Sequence, residues 1–191
     1  KVDNFINHFS KFSEKLPARI LNNCILMPIE AESQDTALRI FSTLNDRGLP
    51  LSDSDIFKAQ FYQYYKQQGK DTRNEFIRDW KKLEETCDKI FRPSTGTPMD
   101  DLFARYMYFV RAKRDNNKST TTESLRKFYE RDKYSILKQN STFDDLKDLA
   151  QFWEDIADQN SKRFSKNILR KLFTLNYAPN SMWNYFISVY Y

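Results

Sequence analysis

A short polar stretch, Asn45-Asp46-Arg47-Gly48, combines side chains that can bind another molecule. It offers an amide that both donates and accepts hydrogen bonds, and a guanidinium with a planar set of donors. Ser52 follows at the start of a predicted helix, whose first amides can hold an anion. The simpler interpretation is that Asn45 and Gly48 only turn the chain at the end of a helix, since both tolerate a left-handed backbone. The residues alone leave both interpretations open.

Basic residues are concentrated in the second half of the chain. Residues 105–138 contain ten Lys and Arg against four Asp and Glu, and residues 162–171 contain five against none. Lys and Arg that contact phosphates supply affinity without reading sequence, so this excess predicts a DNA-binding surface. The alternative is that these charges lie on solvated helix faces. The candidate residues are Arg111, Lys113, Arg114, Lys118, Arg126, Lys127, Lys162, Arg163, Lys166, Arg170 and Lys171.

The other polar residues do not form a recognisable catalytic or metal-binding set. His8 is the only histidine, which excludes His-clustered metal sites and HNH nuclease chemistry within these residues. No Gly-x-x-x-x-Gly-Lys-Ser/Thr phosphate loop is present. Acidic pairs lie near predicted helix starts, where the helix dipole favours negative charge, so capping explains them without metal-dependent hydrolysis. We therefore assign no catalytic residue and no metal ligand.

The polar stretch is positioned by a predicted helix, a tight turn and a second helix. Apolar residues at helical spacing over residues 37–44 indicate the first helix, and Gly48 ends it. Pro50 favours an extended connector because it disfavours helical backbone in the residue before it. Ser52 then begins the second helix, where Asp55 can reach back to the cap.

This stretch resembles the N-terminal domain family of GmrSD-type modification-dependent restriction endonucleases, in the residues Ile40-Phe41, Leu44-Asn45, Gly48, Leu51-Ser52 and Asp55. The resemblance implies a core similar to the ParB and sulfiredoxin folds, hydrolysis of nucleoside triphosphates, and a place in cytoplasmic bacterial anti-phage systems. The family's Asp-Gly-Gln-Gln-Arg motif, expected upstream, and its frequent downstream HNH motif are both absent from the 191 residues. Because Lys1 is not an initiator methionine, we expect a piece of a longer protein, without turnover of its own.

The resemblance also implies roles for the polar stretch. Asn45 would hydrogen-bond a base or ribose, and Arg47 would bind a phosphate with two parallel hydrogen bonds. Gly48 and Ser52 would complete this edge of the nucleotide pocket. Nucleoside triphosphate and a divalent metal would be bound by the full-length parent, and we expect no cofactor within these residues. The expected partners are DNA and the rest of the parent chain, including its Asp-Gly-Gln-Gln-Arg segment.

The rival hypothesis is a non-catalytic helical module that binds another protein. Salt dependence separates the two classes, because a surface that contacts several phosphates loses affinity steeply as salt rises. An interface built on apolar anchors does not.

We predict a mainly α fold with one short strand near the N-terminus, at residues 20–29, as a remnant of a ParB-like core. Only three glycines and six prolines favour helices joined by short loops. The unpaired strand can join another copy and form a homodimer. No apolar run approaches the about 20 residues of a membrane span.

We place the domain boundary after residue 68. Residues 1–68 would end the nucleotide-handling domain, and residues 69–191 would form a helical region. Within that region, the apolar pattern over residues 76–91 predicts the clearest amphipathic helix. A weaker helix opens at Thr122 and runs toward Ile136.

Overall fold

The computed structural model describes residues 51–114 and 123–191, together with residues 15–18, 22, 30, 32–33, 36 and 40. The chain divides into two compact units, Lys1–Leu49 and Pro50–Tyr191. In the first unit, residues 15–18, 22, 36 and 40 are helical. The predicted strand at residues 20–29 lies outside the described residues except for Asn22, which is helical, and the turn at residues 45–48 lies outside them as well. The domain boundary after residue 68 stays a prediction.

The second unit is built from helices, which confirms the mainly α prediction, and no strand occurs among the described residues. Two short 3₁₀ segments, Arg131–Lys133 and Ser135–Lys138, follow the fourth helix. The α-helices are α1 (Asp53–Gln68), α2 (Lys70–Ile90), α3 (Pro98–Lys113), α4 (Leu125–Glu130), α5 (Thr142–Ala157), α6 (Lys166–Leu175) and α7 (Met182–Ser188).

Two helices begin at a hydroxyl cap, the first of them at Ser52 as predicted. The Ser52 hydroxyl accepts a hydrogen bond from the Asp55 amide at 3.1 Å and starts α1. Thr97 and Asp100 form a reciprocal capping box at the start of α3, and Pro98 occupies its first turn. Such a cap stabilises a helix by about 0.5–2 kcal/mol.

Aromatic side chains form the centre of the second unit. Phe61 of α1 is fully buried, and its ring lies 6.0 Å from Trp80 of α2, 5.5 Å from Phe143 of α5 and 6.5 Å from Phe103 of α3. Each such pair adds about 0.5–1.5 kcal/mol beyond the burial of its area. Because α1 supplies Phe61, the helix that ends the family signature shares one core with the helical region.

The segment after α4 corrects the predicted weaker helix. Asp132, Lys133 and Tyr134 have φ angles of 49°, 55° and 61°, and left-handed residues cannot continue a right-handed helix. α4 therefore ends at Glu130, although Ile136 beyond the break is also buried. The apolar spacing is satisfied by two short segments that enter the same core, which periodicity alone does not distinguish from one longer helix.

Within the described parts of the chain, no helix is both long and apolar enough to cross a membrane. Those same parts place no group of three or more His, Cys, Asp and Glu side chains where they could hold a metal ion.

Candidate functional site

The end of the signature stretch is held by side chains that come from far along the chain. Ser54 is buried, and its amide donates to Asp100 Oδ1 at 2.8 Å. The other oxygen of that carboxylate, Oδ2, accepts from the Thr97 amide at 2.9 Å. The hydroxyls of Ser54 and Thr97 are hydrogen-bonded to each other at 3.1 Å. One carboxylate therefore joins the first turns of α1 and α3.

Arg126 of α4 completes this connection. Its Nε lies 2.9 Å from Asp53 Oδ1, and its Nη2 donates to the Leu51 carbonyl at 3.3 Å. The guanidinium therefore binds both Asp53, the first residue of α1, and Leu51 in the connector before it. We call this set the signature anchor; it consists of Leu51, Asp53, Ser54, Thr97, Asp100 and Arg126.

The structure places only one of the four pocket candidates. Ser52 accepts from the Asp55 amide and donates to Asp55 Oδ2 at 2.6 Å, so its hydroxyl is engaged in capping. Asn45, Arg47 and Gly48 lie outside the described residues. The pocket roles of all four stay predictions.

Several predicted DNA-contacting residues are engaged within the protein. Arg126 belongs to the signature anchor, and Arg163 pairs with Asp155 at 2.7 Å. On α3, the Arg111 guanidinium lies 6.0 Å from the Tyr108 ring, and the Lys113 ammonium lies 5.6 Å from the Phe109 ring. Arg114 and Lys127 are exposed, and Lys118 lies outside the described residues.

The remaining candidates form a cationic segment around α6. They are exposed, and none of them has an ion pair with a described residue. Residues 159–191 contain no Asp or Glu. Exposed cations without an ion pair are available to bind phosphates. These candidates are Lys162, Lys166, Arg170 and Lys171.

Three exposed side chains of α6 border a surface groove of about 400 Å³. Lys166 and Arg170 supply its positive charge, and Phe173, whose side chain is 49% exposed, supplies an aromatic wall. We call this the α6 groove; its residues are Gln159, Ser161, Lys166, Leu169, Arg170 and Phe173.

A second cavity, of about 760 Å³, has the buried Arg105 in its wall. The Arg105 guanidinium lies 4.5 Å from the Phe91 ring and 4.2 Å from the Trp153 ring, and its Nη2 pairs with Asp101 at 2.9 Å. Burial lowers the pKa of Arg105, and the Asp101 charge opposes that shift. Its Nη1 has no acceptor among the described residues. Arg105 contributes to the basic excess of the sequence, yet it packs inside the unit.

Sequence reasoning missed two features of these sites. Nothing in the spacing of Ser54 and Asp100 signals a contact across 46 positions. The exposed aromatics Phe173 and Tyr177 were also missed, because Phe and Tyr at helical spacing usually pack. The signal that could have found them is the absence of acid from residues 159–191 around those rings.

The fold and these sites define a mainly helical unit that holds the end of a short signature stretch. Residues 1–62 match the family model described as GmrSD restriction endonuclease, N-terminal domain. This match confirms the resemblance seen in the signature. The match runs into α1 and so includes the α1 part of the signature anchor. No curated protein and no solved structure matches the chain.

Proposed function

We propose that this chain is part of a bacterial, cytoplasmic restriction protein that uses nucleoside triphosphate to act on foreign, modified DNA. The family match of residues 1–62 supports the restriction class. In this proposal, an Asp-Gly-Gln-Gln-Arg segment elsewhere in the parent performs hydrolysis, with a divalent metal. Asn45, Arg47, Gly48 and Ser52 border the nucleotide pocket, and a ParB-like core with its short strand supports them.

The signature anchor is the observation that carries the role of this chain. The pocket candidates end at Ser52, and Leu51, Asp53 and Ser54 on either side of it are bonded to α3 and α4. Hydrogen bonds to a charged group contribute about 1.5–3 kcal/mol each. The helical region therefore fixes the position of the residues that follow the turn. In this proposal the helical region supports hydrolysis by fixing those residues, and by itself the chain has no turnover.

Replacing the pocket candidates in the intact parent tests this role. Arg47→Ala should weaken nucleotide binding and slow hydrolysis at least about tenfold, as expected when a hydrogen bond to a charged group is lost. Asn45→Ala removes a neutral hydrogen bond of about 0.5–1.5 kcal/mol and should weaken binding and slow hydrolysis about two- to tenfold. Lys82→Gln, at an exposed position of α2, is the matched control and should leave both unchanged. Unchanged binding and hydrolysis in both pocket variants would refute the assignment. Hydrolysis by the purified 191-residue chain, surviving removal of contaminants, would also contradict it.

DNA contact is the second part of the proposal, and the free cations around α6 support it. If Lys162, Lys166, Arg170 and Lys171 contact phosphates, the logarithm of duplex affinity should fall with the logarithm of salt concentration at a slope of about −3 to −4. Fluorescence anisotropy of a labelled duplex at several salt concentrations measures this slope. A flat dependence would refute the contact.

A second candidate function is a non-catalytic helical module that binds another protein. Exposed apolar side chains near the end of the chain favour it: Met182 is 57% exposed, Phe186 63% and Tyr190 71%. In that case a partner protein would bind with little salt dependence, and Phe186→Ala would weaken binding. Pairing of the predicted strand at residues 20–29 across a homodimer belongs to this candidate as well.

A further inference from the structure

α6 presents two different faces to its surroundings. Leu169 and Leu172 are buried. Lys166, Arg170 and Phe173 are spaced by four and three residues, so they follow one flank of the helix. All three line the α6 groove, which confirms that they face the same space.

A second exposed ring extends the aromatic wall beyond the helix. Tyr177 follows Phe173 by four residues and is 76% exposed. The two rings make an edge-to-face contact, with centroids 5.5 Å apart and planes at 68°. The groove therefore has two cations, Lys166 and Arg170, and one ring, Phe173, and the exposed ring of Tyr177 lies against that ring.

The acids nearest to the groove in sequence already take part in ion pairs, with Lys89 shared between Asp158 and Glu154. Asp155 pairs with Arg163 at 2.7 Å and accepts from Asn160 at 2.8 Å. Asp158 pairs with Lys89 at 3.2 Å. Lys166 and Arg170 have no ion pair with any described residue, so their charge is available to a bound anion.

We propose that the α6 groove binds single-stranded nucleic acid, with phosphates at Lys166 and Arg170 and an unpaired base against Phe173 and Tyr177. This inference rests on the proposed DNA contact and specifies that the contacted DNA is single-stranded. Proteins that bind single strands combine positive charge along the backbone with aromatic side chains on which bases stack. Bases in a duplex are stacked on each other, so they cannot use an exposed ring on a protein surface. A groove built only for duplex phosphates needs cations and gains nothing from two exposed aromatic rings.

The test is anisotropy with the 191-residue chain and a labelled thymidine 12-mer, compared with the same strand annealed to its complement. The single strand should bind more tightly than the duplex. Phe173→Leu and Tyr177→Leu keep an apolar side chain but remove a ring, and each should weaken single-strand binding by about five- to a hundredfold. Duplex binding should change less than twofold.

Matched controls separate stacking from general effects. Ile77→Ala removes an exposed apolar side chain from α2, outside the groove, and should leave single-strand affinity unchanged. The double variant Lys166→Gln/Arg170→Gln should weaken both forms and flatten the salt dependence, whereas Lys82→Gln on α2 should not. Thermal melting by circular dichroism confirms that each variant folds; because Tyr177 is three-quarters exposed, its variant remains informative if Phe173→Leu is destabilised.

The outcomes distinguish this inference from the proposed function. If Phe173→Leu and Tyr177→Leu bind the single strand as tightly as the unsubstituted chain does, the stacking groove is overturned. Salt-dependent binding of the duplex would in that case still support the DNA contact. Absence of salt-dependent binding to either form would overturn both. Competition by polyglutamate of equal charge as effective as the oligonucleotide would show that the groove recognises acidic chains, and would overturn the inference too.

Discussion

The signature anchor predicts that Asp100 stabilises the second unit more than a surface acid does. Asp100→Ala removes the acceptor for the Ser54 amide at 2.8 Å and for the Thr97 amide at 2.9 Å. Both amides belong to helix first turns that have no other intrahelical partner. The bond from the Thr97 amide is one half of the capping box of α3, and the other half, from the Asp100 amide to the Thr97 hydroxyl, does not need the carboxylate.

The magnitude follows from these two bonds. A hydrogen bond to a charged acceptor contributes about 1.5–3 kcal/mol, and an amide left without a partner in a partly buried site adds to the loss. Both bonds are partly exposed to solvent, so the lower end of the range applies to each. We expect Asp100→Ala to lower the free energy of unfolding by about 3 kcal/mol.

Urea unfolding followed by tryptophan fluorescence measures this change. Trp80, Trp153 and Trp183 all lie in the second unit, so the signal reports on that unit. Asp148→Ala, an exposed acid on α5, is the control and should change the free energy by less than about 0.5 kcal/mol. A loss below about 1 kcal/mol for Asp100→Ala would show that the anchor does not bear on stability, and would refute the reasoning.

Three further predictions concern the same unit. Asp101→Ala leaves the buried Arg105 guanidinium uncompensated and should lower the free energy of unfolding by about 3–5 kcal/mol, whereas Arg105→Met should cost far less in the same urea assay. Cys87 is fully buried and burial raises the pKa of its thiol, so a thiol reagent should label it only when the unit unfolds; labelling in native buffer would contradict this. The pKa of Asp155 is lowered by the hydrogen bond from Asn160 and, after it, by the ion pair with Arg163. The contribution of Asp155 to the free energy of unfolding is therefore fully present above the ordinary carboxyl pKa and is lost as pH falls through the lowered value. Asp155→Asn should flatten the acid limb of stability against pH, and an unchanged limb would contradict the assignment.

Capping chemistry and helical periodicity made much of the second unit predictable from sequence. Ser52 begins a helix as predicted, and Thr97 begins one by the same chemistry, because a hydroxyl followed three residues later by an acid satisfies local backbone donors. The apolar pattern over residues 76–91 gives the buried face of α2, with Trp80, Leu83 and Cys87 inward. These are local properties, so the sequence carries them directly.

The features that were not predictable from the sequence depend on contacts between residues far apart in the chain. Arg126 belongs to a basic run in sequence, yet the fold brings it to Asp53, 73 positions away. Arg105 looks like a surface charge by composition, yet two rings and Asp101 enclose it. The break after Glu130 depends on left-handed backbone at Asp132, Lys133 and Tyr134, and no glycine there indicates it in the sequence. Such features depend on contacts between residues that are distant in sequence, and the apolar periodicity of a single segment does not predict those contacts.

The proposal that the helical region fixes the residues after the signature turn, and thereby supports nucleotide hydrolysis, is tested most directly in the intact parent protein. The measurement compares hydrolysis by Asp100→Ala with hydrolysis by Leu149→Ala. Leu149 is buried in α5 outside the anchor, and its substitution should lower the free energy of unfolding by about 2–5 kcal/mol, similar to the loss expected for Asp100→Ala. Both rates are taken at a temperature where both variants remain folded. The account predicts that Asp100→Ala slows hydrolysis at least about tenfold more than Leu149→Ala, because only the former frees the residues after the turn. Equal rates in the two variants would contradict the account.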